Sequence, residues 1–243
     1  MSKPLFSLFK PYKNLVMAIS EKPDGSMKIF GDPANDRRPQ ENRARFLKKI
    51  KIKPDDLIKT NSVHNGAVRV VRQHDKGISI GQTDGFVTRE KKVFLSITVG
   101  DCLPIFFYDR KEKAVGLVHC GWRELVKDIM ASTLKLFKDN FNSSRENILV
   151  GIGPGISGEC YEIGPEIYEK YKKAYPSSFI LKNGKFFWDL KKACFEELIK
   201  QGLPPNNIEV SPECTYSLSD KYFSYRRDKP KRLETMLVVF GRK

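Results

Sequence analysis

Two apolar runs, VFLSITVGDCLPIFFYD at Val93–Asp109 and AVGLVHCGWRE at Ala114–Glu124, decide how this chain folds. The first breaks at Gly100-Asp101, giving strands Val93–Val99 and Leu103–Tyr108 on either side of Cys102. The second gives a strand over Ala114–His119, closed by Gly121-Trp122 and a helix start. The polar turn around Asp109–Lys113 joins the last two strands as a hairpin, so Cys102 and His119 can come close. Alternation along a strand puts Leu117 and His119 on one face and Cys120 on the other. Cys102 is therefore the better partner for His119.

Working outward, short apolar runs predict further strands at Leu15–Ile19, Ala67–Val71, Ile148–Ile152, Ile208–Val210 and Met236–Phe240. Helical spacing predicts helices over Glu41–Ile50, Pro165–Ala174 and Asp189–Gln201, the last stopped by Gly202 and Pro204-Pro205. Another is predicted over Arg123–Asn140, where Val126, Ile129, Met130, Leu134 and Phe137 form an apolar stripe. The polar stretch Gly31–Gln40 reads as a loop. With no internal repeat or low-complexity linker, the expectation is one α+β domain spanning residues 1–243, with central mixed β-sheets flanked by helices.

A charged fraction of 30% beside 40% apolar residues is the composition of a folded, soluble protein. No apolar run reaches the ~20 residues of a membrane span. The basic N-terminal segment lacks the continuous apolar stretch of a secretory signal. A cytoplasmic monomer is expected. Five cysteines without a C-x-x-C pair argue for reduced thiols rather than a disulfide framework. The net charge of +15 is spread along the chain. It suits an anionic substrate or nucleic acid, but no nucleic-acid-binding motif accompanies it, so a primary nucleic-acid role is not expected.

Chemistry concentrates on His64, Cys102 and His119. His74, the third histidine, lies in a polar run and reads as solvent-exposed. Two imidazoles and a thiolate form a three-ligand set for Zn²⁺ that leaves its fourth position open. The same residues also fit a metal-free Cys–His nucleophile pair, such as a hydrolase of peptidoglycan precursors would use, or core histidines beside a buried thiol. A multicopper oxidase is excluded by counting, since three histidines cannot hold several coppers. A single Cu²⁺ in place of Zn²⁺ stays open, because Cu²⁺ binds such ligands more tightly.

The runs V-G-D-C-L-P (Val99–Pro104), V-H-C-G-W-R (Val118–Arg123), G-I-G-P-G-I-S (Gly151–Ser157), Y-E-I-G (Tyr161–Gly164), E-C-T-Y (Glu213–Tyr216) and Y-F-S-Y-R-R-D-K (Tyr222–Lys229) occur in order. Together they resemble the YfiH-like family, also called multicopper polyphenol oxidoreductase or laccase-like, and peptidoglycan-editing factor. Its usual forms include T-A-D-C-x-P, H-A-G-W-R-G and F-F-S-Y-R-R-D. The resemblance implies metal ligands at His64, Cys102 and His119. It also implies a purine nucleoside enzyme that cleaves adenosine, inosine, guanosine or methylthioadenosine with phosphate and deaminates adenosine. The family's early Thr-Arg-x-Gly-Gly segment has no counterpart at Met17–Glu21, which leaves the substrate range open.

Phosphorolysis needs cationic groups for phosphate and a proton donor for the departing purine. Arg43, Arg226 and Arg227 are the candidates for phosphate, with structural ion pairing as the competing role. Cys102 and Asp101 are the catalytic candidates; Asp84 reads better as the cap of a turn. Gly151-Ile-Gly-Pro-Gly reads as a tight turn rather than a phosphate cradle. Trp122 is a core anchor or a stacking ring, and Met130 belongs to the core.

Overall fold

The structure, a computed structural model, describes residues 5–29, 36–61 and 63–243, without the side chain of Asn61. Among these residues the strands form three sheets. A six-stranded sheet runs in the order Ile208–Val210, Ile148–Ile152, Leu103–Asp109, Val115–Cys120, Gly85–Thr88, Val68–Val70. A five-stranded sheet runs Leu15–Ile19, Met236–Arg242, Phe94–Val99, Leu57–Asn61, Ser79–Gly81. Both mix parallel and antiparallel pairs. A small antiparallel sheet of Glu162–Ile163, Lys185–Trp188 and Phe179–Lys182 lies apart from them.

The two large sheets pack face to face, and the alternation of the central hairpin shows why. Phe106, Tyr108, Val115 and Leu117 point into a core shared with Leu95, Ile97, Val238 and Phe240 of the other sheet. Ile105, Phe107, Val118 and Cys120 point the opposite way, onto helices Ile129–Phe141 and Leu190–Lys200. The outer face of the five-stranded sheet is covered by helix Arg38–Lys49 through Phe46 and Leu47. The layers are thus helix, sheet, sheet, helix. Each fully buried Phe or Leu contributes ~1.5–3 kcal/mol of burial free energy.

The antiparallel register of the hairpin pairs Leu103 with Cys120 and Pro104 with His119. His119 therefore points to the side of Leu117, between the sheets at their open end, while Cys120 lies among the helices beside Cys194. The predicted helix over Arg123–Asn140 is two helices, Trp122–Leu125 and Ile129–Phe141. Asp128 in the left-handed region (φ 57°) turns the chain between them. The predicted loop Gly31–Gln40 falls partly outside the described residues, and its last three positions already belong to helix Arg38–Lys49. No helix among the described residues is long and apolar enough to cross a membrane.

The glycines of Gly151–Gly155 serve packing. A Cβ on Gly151 would sit 2.5 Å from the Phe6 ring, and one on Gly155 would sit 2.4 Å from Leu103. The run brings its backbone hard against the central strands, and none of its residues lines the cavity described next.

Candidate metal centre and substrate cavity

A cavity of about 400 Å³ opens between the ends of the two large sheets, with His64, Asp101, Cys102 and His119 among its lining residues. His119 closes its strand and is buried, with 4% of its surface exposed. Cys102 follows the Gly100-Asp101 kink, where Asp101 has φ 143°. The chain passes the Cys102 thiol at Gly121, whose Cβ would lie 2.8 Å from Sγ. A side chain at that position would occupy the thiol's place.

His64 stands in the left-handed region (φ 58°), in a loop held by the buried carboxylate of Asp84. That carboxylate accepts hydrogen bonds from the backbone N–H groups of Val63 (3.0 Å), His64 (3.0 Å), Asn65 (2.7 Å) and Gly66 (2.8 Å). The Asp84 carbonyl accepts a fifth from His119 N–H at 2.7 Å. Asp84 is the turn cap that its setting suggests, and it also holds the two histidines in register.

The residue that the sequence reading passed over is Glu124. It has no exposed surface, and its Oε1 lies 2.5 Å from His64 Nδ1 and 3.3 Å from His119 Nδ1. Its Oε2 accepts a hydrogen bond from Gly121 N–H at 2.9 Å. The signal was in the motif: the usual H-A-G-W-R-G ends in glycine where this chain has Glu124. Burial pushes the Glu124 carboxyl up, but the close contacts and charges of His119 and His64 outweigh it and hold the group well below the usual carboxylate range. Burial pulls His119 down, and the charge and contact of Cys102 together with Glu124 more than reverse this, to about 10.

Ligand atoms of His64, His119 and Glu124 all lie within 4.8 Å of one another. Cys102 stands outside that trio, beside His119. His119 Nδ1 is buried and makes no hydrogen bond, although Glu124 Oε1 stands 3.3 Å from it. An orphaned imidazole nitrogen facing a second imidazole and a carboxylate is a donor set that a divalent cation satisfies. The residues therefore fit a metal.

The remaining candidates separate clearly. Asp101 lies at the cavity, but its Oδ1 accepts from Thr215 Oγ1 at 2.6 Å and its Oδ2 from Arg226 N–H at 2.7 Å. Burial pushes its carboxyl up, with the bonds from Thr215 and Arg226 working against that. With one hydrogen bond on each oxygen, Asp101 ties the strand end to helix Tyr225–Asp228 while still lining the cavity. Arg226 does line the cavity: one terminal nitrogen donates to Glu162 O at 2.5 Å, and the guanidinium lies 5.1 Å from the centre of the Tyr161 ring.

Arg227 does not fit the anion role. Its five donors are all spent, on Asp228 Oδ1 and Oδ2 and on the carbonyls of Thr215, Tyr216 and Tyr222, at 2.7–2.8 Å. Arg43 is absent from the cavity wall; its Nε donates to Met27 O at 2.8 Å, and burial lowers it to about 10. The cation beside it that reaches the cavity is Lys28. A further cavity cation is Arg123, with its guanidinium 4.4 Å from the centre of the Trp122 ring. Trp122 is half-buried: it packs against the helix-side core, beside Tyr171, and also lines the cavity. Met130 is in the core and His74 is exposed, as read.

Comparison with known proteins follows the same lines. A family model described as multi-copper polyphenol oxidoreductase laccase matches residues 19–240. The purine nucleoside phosphorylase YlmD of Bacillus subtilis is 32% identical over 190 residues, covering 74% of this chain and 68% of that protein. Adenosine deaminase RL5, from an unknown prokaryotic organism, is 28% identical over 185 residues, covering 71% and 70%. The crystal structure of YlmD from Geobacillus stearothermophilus superimposes with a TM-score of 0.88 at 26% identity, covering 96% of this chain and 94% of the other.

Proposed function

The chain belongs to the multi-copper polyphenol oxidoreductase laccase family, and from that premise we propose that it is a metal-dependent purine nucleoside phosphorylase with adenosine deaminase activity. The observation that carries this reading is the cavity. Its floor is a convergent donor set and its wall carries Arg123, Arg226 and Lys28, which suits a neutral nucleoside beside an anion. Its volume of about 400 Å³ is within the range of small-molecule sites.

The metal would be held by His64 and His119, with Cys102 as the third ligand that the resemblance implies. We take Zn²⁺ as the natural ion and Cu²⁺ as a substitute. A divalent cation supplies charge stabilisation and, in deamination, an activated water. The chain's own groups supply the rest. The free donors of Arg226, with Arg123, orient phosphate toward the sugar carbon whose bond to the purine breaks. Tyr161 is raised to about 12 by burial, with Cys102 adding to that and Arg226 and Arg123 opposing it, so it stays a phenol at neutral pH. It can therefore donate a hydrogen bond to the leaving base. Asp84 and Asp101 hold these groups in place.

A relative named as an adenosine deaminase supports the deamination half of this proposal, whereas the contact of the Cys102 thiol with His119 suits a different reading, a metal-free nucleophile pair. One incubation with adenosine, with and without phosphate, followed by separation of products, distinguishes phosphorolysis from deamination. Adenine formed only with phosphate is the expected result, with inosine formed in either condition as a second product. Neither product from zinc-loaded protein would overturn the proposal. Zinc-free protein with a readily alkylated Cys102 would move the reading to the nucleophile pair.

A further inference from the structure

We propose that Glu124 is itself a metal ligand in this chain, so that the ion sits on two imidazoles and a carboxylate, His64, His119 and Glu124. This rests on the metal reading above and changes its ligand set. Three observations carry it. Glu124 is fully buried, and its side chain meets the two imidazoles and one backbone N–H; no lysine or arginine among the described residues pairs with it. Such a carboxylate is costly unless a positive charge accompanies it, and at this place the charge is either a protonated imidazole or a metal ion. Its Oε2 is pinned by Gly121 N–H, so Oε1 is the oxygen aimed at the histidines.

One proton can bridge Oε1 to His64 Nδ1 at 2.5 Å, but then His119 Nδ1, 3.3 Å away, keeps no partner. A cation among the three atoms serves all of them at once. The 3.3 Å between His119 Nδ1 and Glu124 Oε1 is the separation of ligand atoms around a tetrahedral zinc with bonds of ~2.0–2.2 Å, whereas His64 Nδ1, 2.5 Å from Oε1, would have to swing back to admit the ion. Asp84 fixes the backbone of both histidines, so the site is already organised before an ion arrives. Two histidines and one carboxylate form a harder set than two histidines and a thiolate, and it leaves Cys102 beside His119 as an adjustable fourth group.

The test uses zinc alone, without nucleoside, in competition with a chelator, on the full chain and its Glu124→Gln, Glu124→Gly and Cys102→Ala variants. Glu124→Gln keeps an oxygen for the Gly121 N–H and removes the charge; Glu124→Gly gives the residue of the related motif. Both Glu124 variants are expected to bind zinc at least about tenfold more weakly. In the cobalt-substituted proteins, both are expected to change the visible absorption that reports the ligand set. Wild-type zinc affinity in both, or loss in Glu124→Gly alone, would mean that Glu124 only caps the turn and would overturn the proposal. So would weaker binding with an unchanged cobalt spectrum, which marks a residue that merely orients His64. A wild-type chain that binds no zinc overturns the metal reading itself. Full zinc loading without phosphorolysis overturns only the proposed activity.

Discussion

At the scale of single residues, one carboxylate and two arginines show that what a side chain does here depends on where its hydrogen bonds go. Asp84 accepts four backbone N–H groups from the His64 loop. Asparagine in its place offers one acceptor and turns an NH₂ group toward donors. Asp84→Asn is expected to cost on the order of 3 kcal/mol, read as a lower denaturant midpoint. It should also weaken zinc binding, since His64 loses its support. A variant as stable as the parent would show that the loop does not need the carboxylate. Arg226 and Arg227 are adjacent in sequence and opposite in use. Arg227→Lys replaces a five-donor fork with a point charge and should cost about 2 kcal/mol of stability, leaving the KM for phosphate unchanged. Arg226→Lys should leave stability nearly unchanged and raise that KM about tenfold, equivalent to about 1.4 kcal/mol. The reverse pattern would exchange their roles.

At the scale of elements, the segment Ser211–Asp228 is tied down by Glu213. Its carboxylate accepts from Lys221 Nζ and Tyr222 Oη, both at 2.5 Å, and its carbonyl accepts from Lys191 Nζ at 2.7 Å. Burial raises the Glu213 carboxyl, but the bonds from Lys221 and Tyr222 and the charges of Lys221 and Lys191 outweigh it, so the group is held below its ordinary value in the folded chain. A depressed carboxylate contributes stability that is present above the unfolded value and lost as pH falls through the folded one. Glu213→Gln should therefore lower the melting temperature at pH 7, and the gap to the parent should close below about pH 4.5. A gap that stays constant down to pH 3 would assign the loss to packing. The same scale shows what the sequence made legible. The central hairpin was readable because its residues are both apolar and alternating, and alternation alone separated Cys102 from Cys120 as partner of His119. Gly85–Thr88 and Leu57–Asn61 were missed as strands: they are short and lack strict alternation, and their pairing partners are distant in sequence. Glu124 was missed because it lies off the apolar stripe of the helix predicted over Arg123–Asn140; the break at Asp128 instead leaves it on a separate four-residue helix beside the histidines.

At the scale of the molecule, the net charge of +15 meets the proposed substrate pair, a nucleoside and phosphate, of which only one member is charged. Lysines and arginines far from the cavity raise the local concentration of an anion but do nothing for a neutral nucleoside. At the wall, Arg123 and Arg226 add direct contacts, which salt screens less than it does the distant field. The Debye length falls from ~10 Å at 0.1 M salt to ~3 Å at 1 M, so the long-range part is removed over that interval. Raising potassium chloride across it should raise the KM for phosphate by roughly threefold to tenfold, with the KM for adenosine and kcat nearly constant. An equal rise in both KM values would indicate that salt acts on the fold or the cavity as a whole. No rise in either would mean that the basic surface serves a different anionic partner, and nucleic-acid binding that weakens steeply over the same interval would identify it.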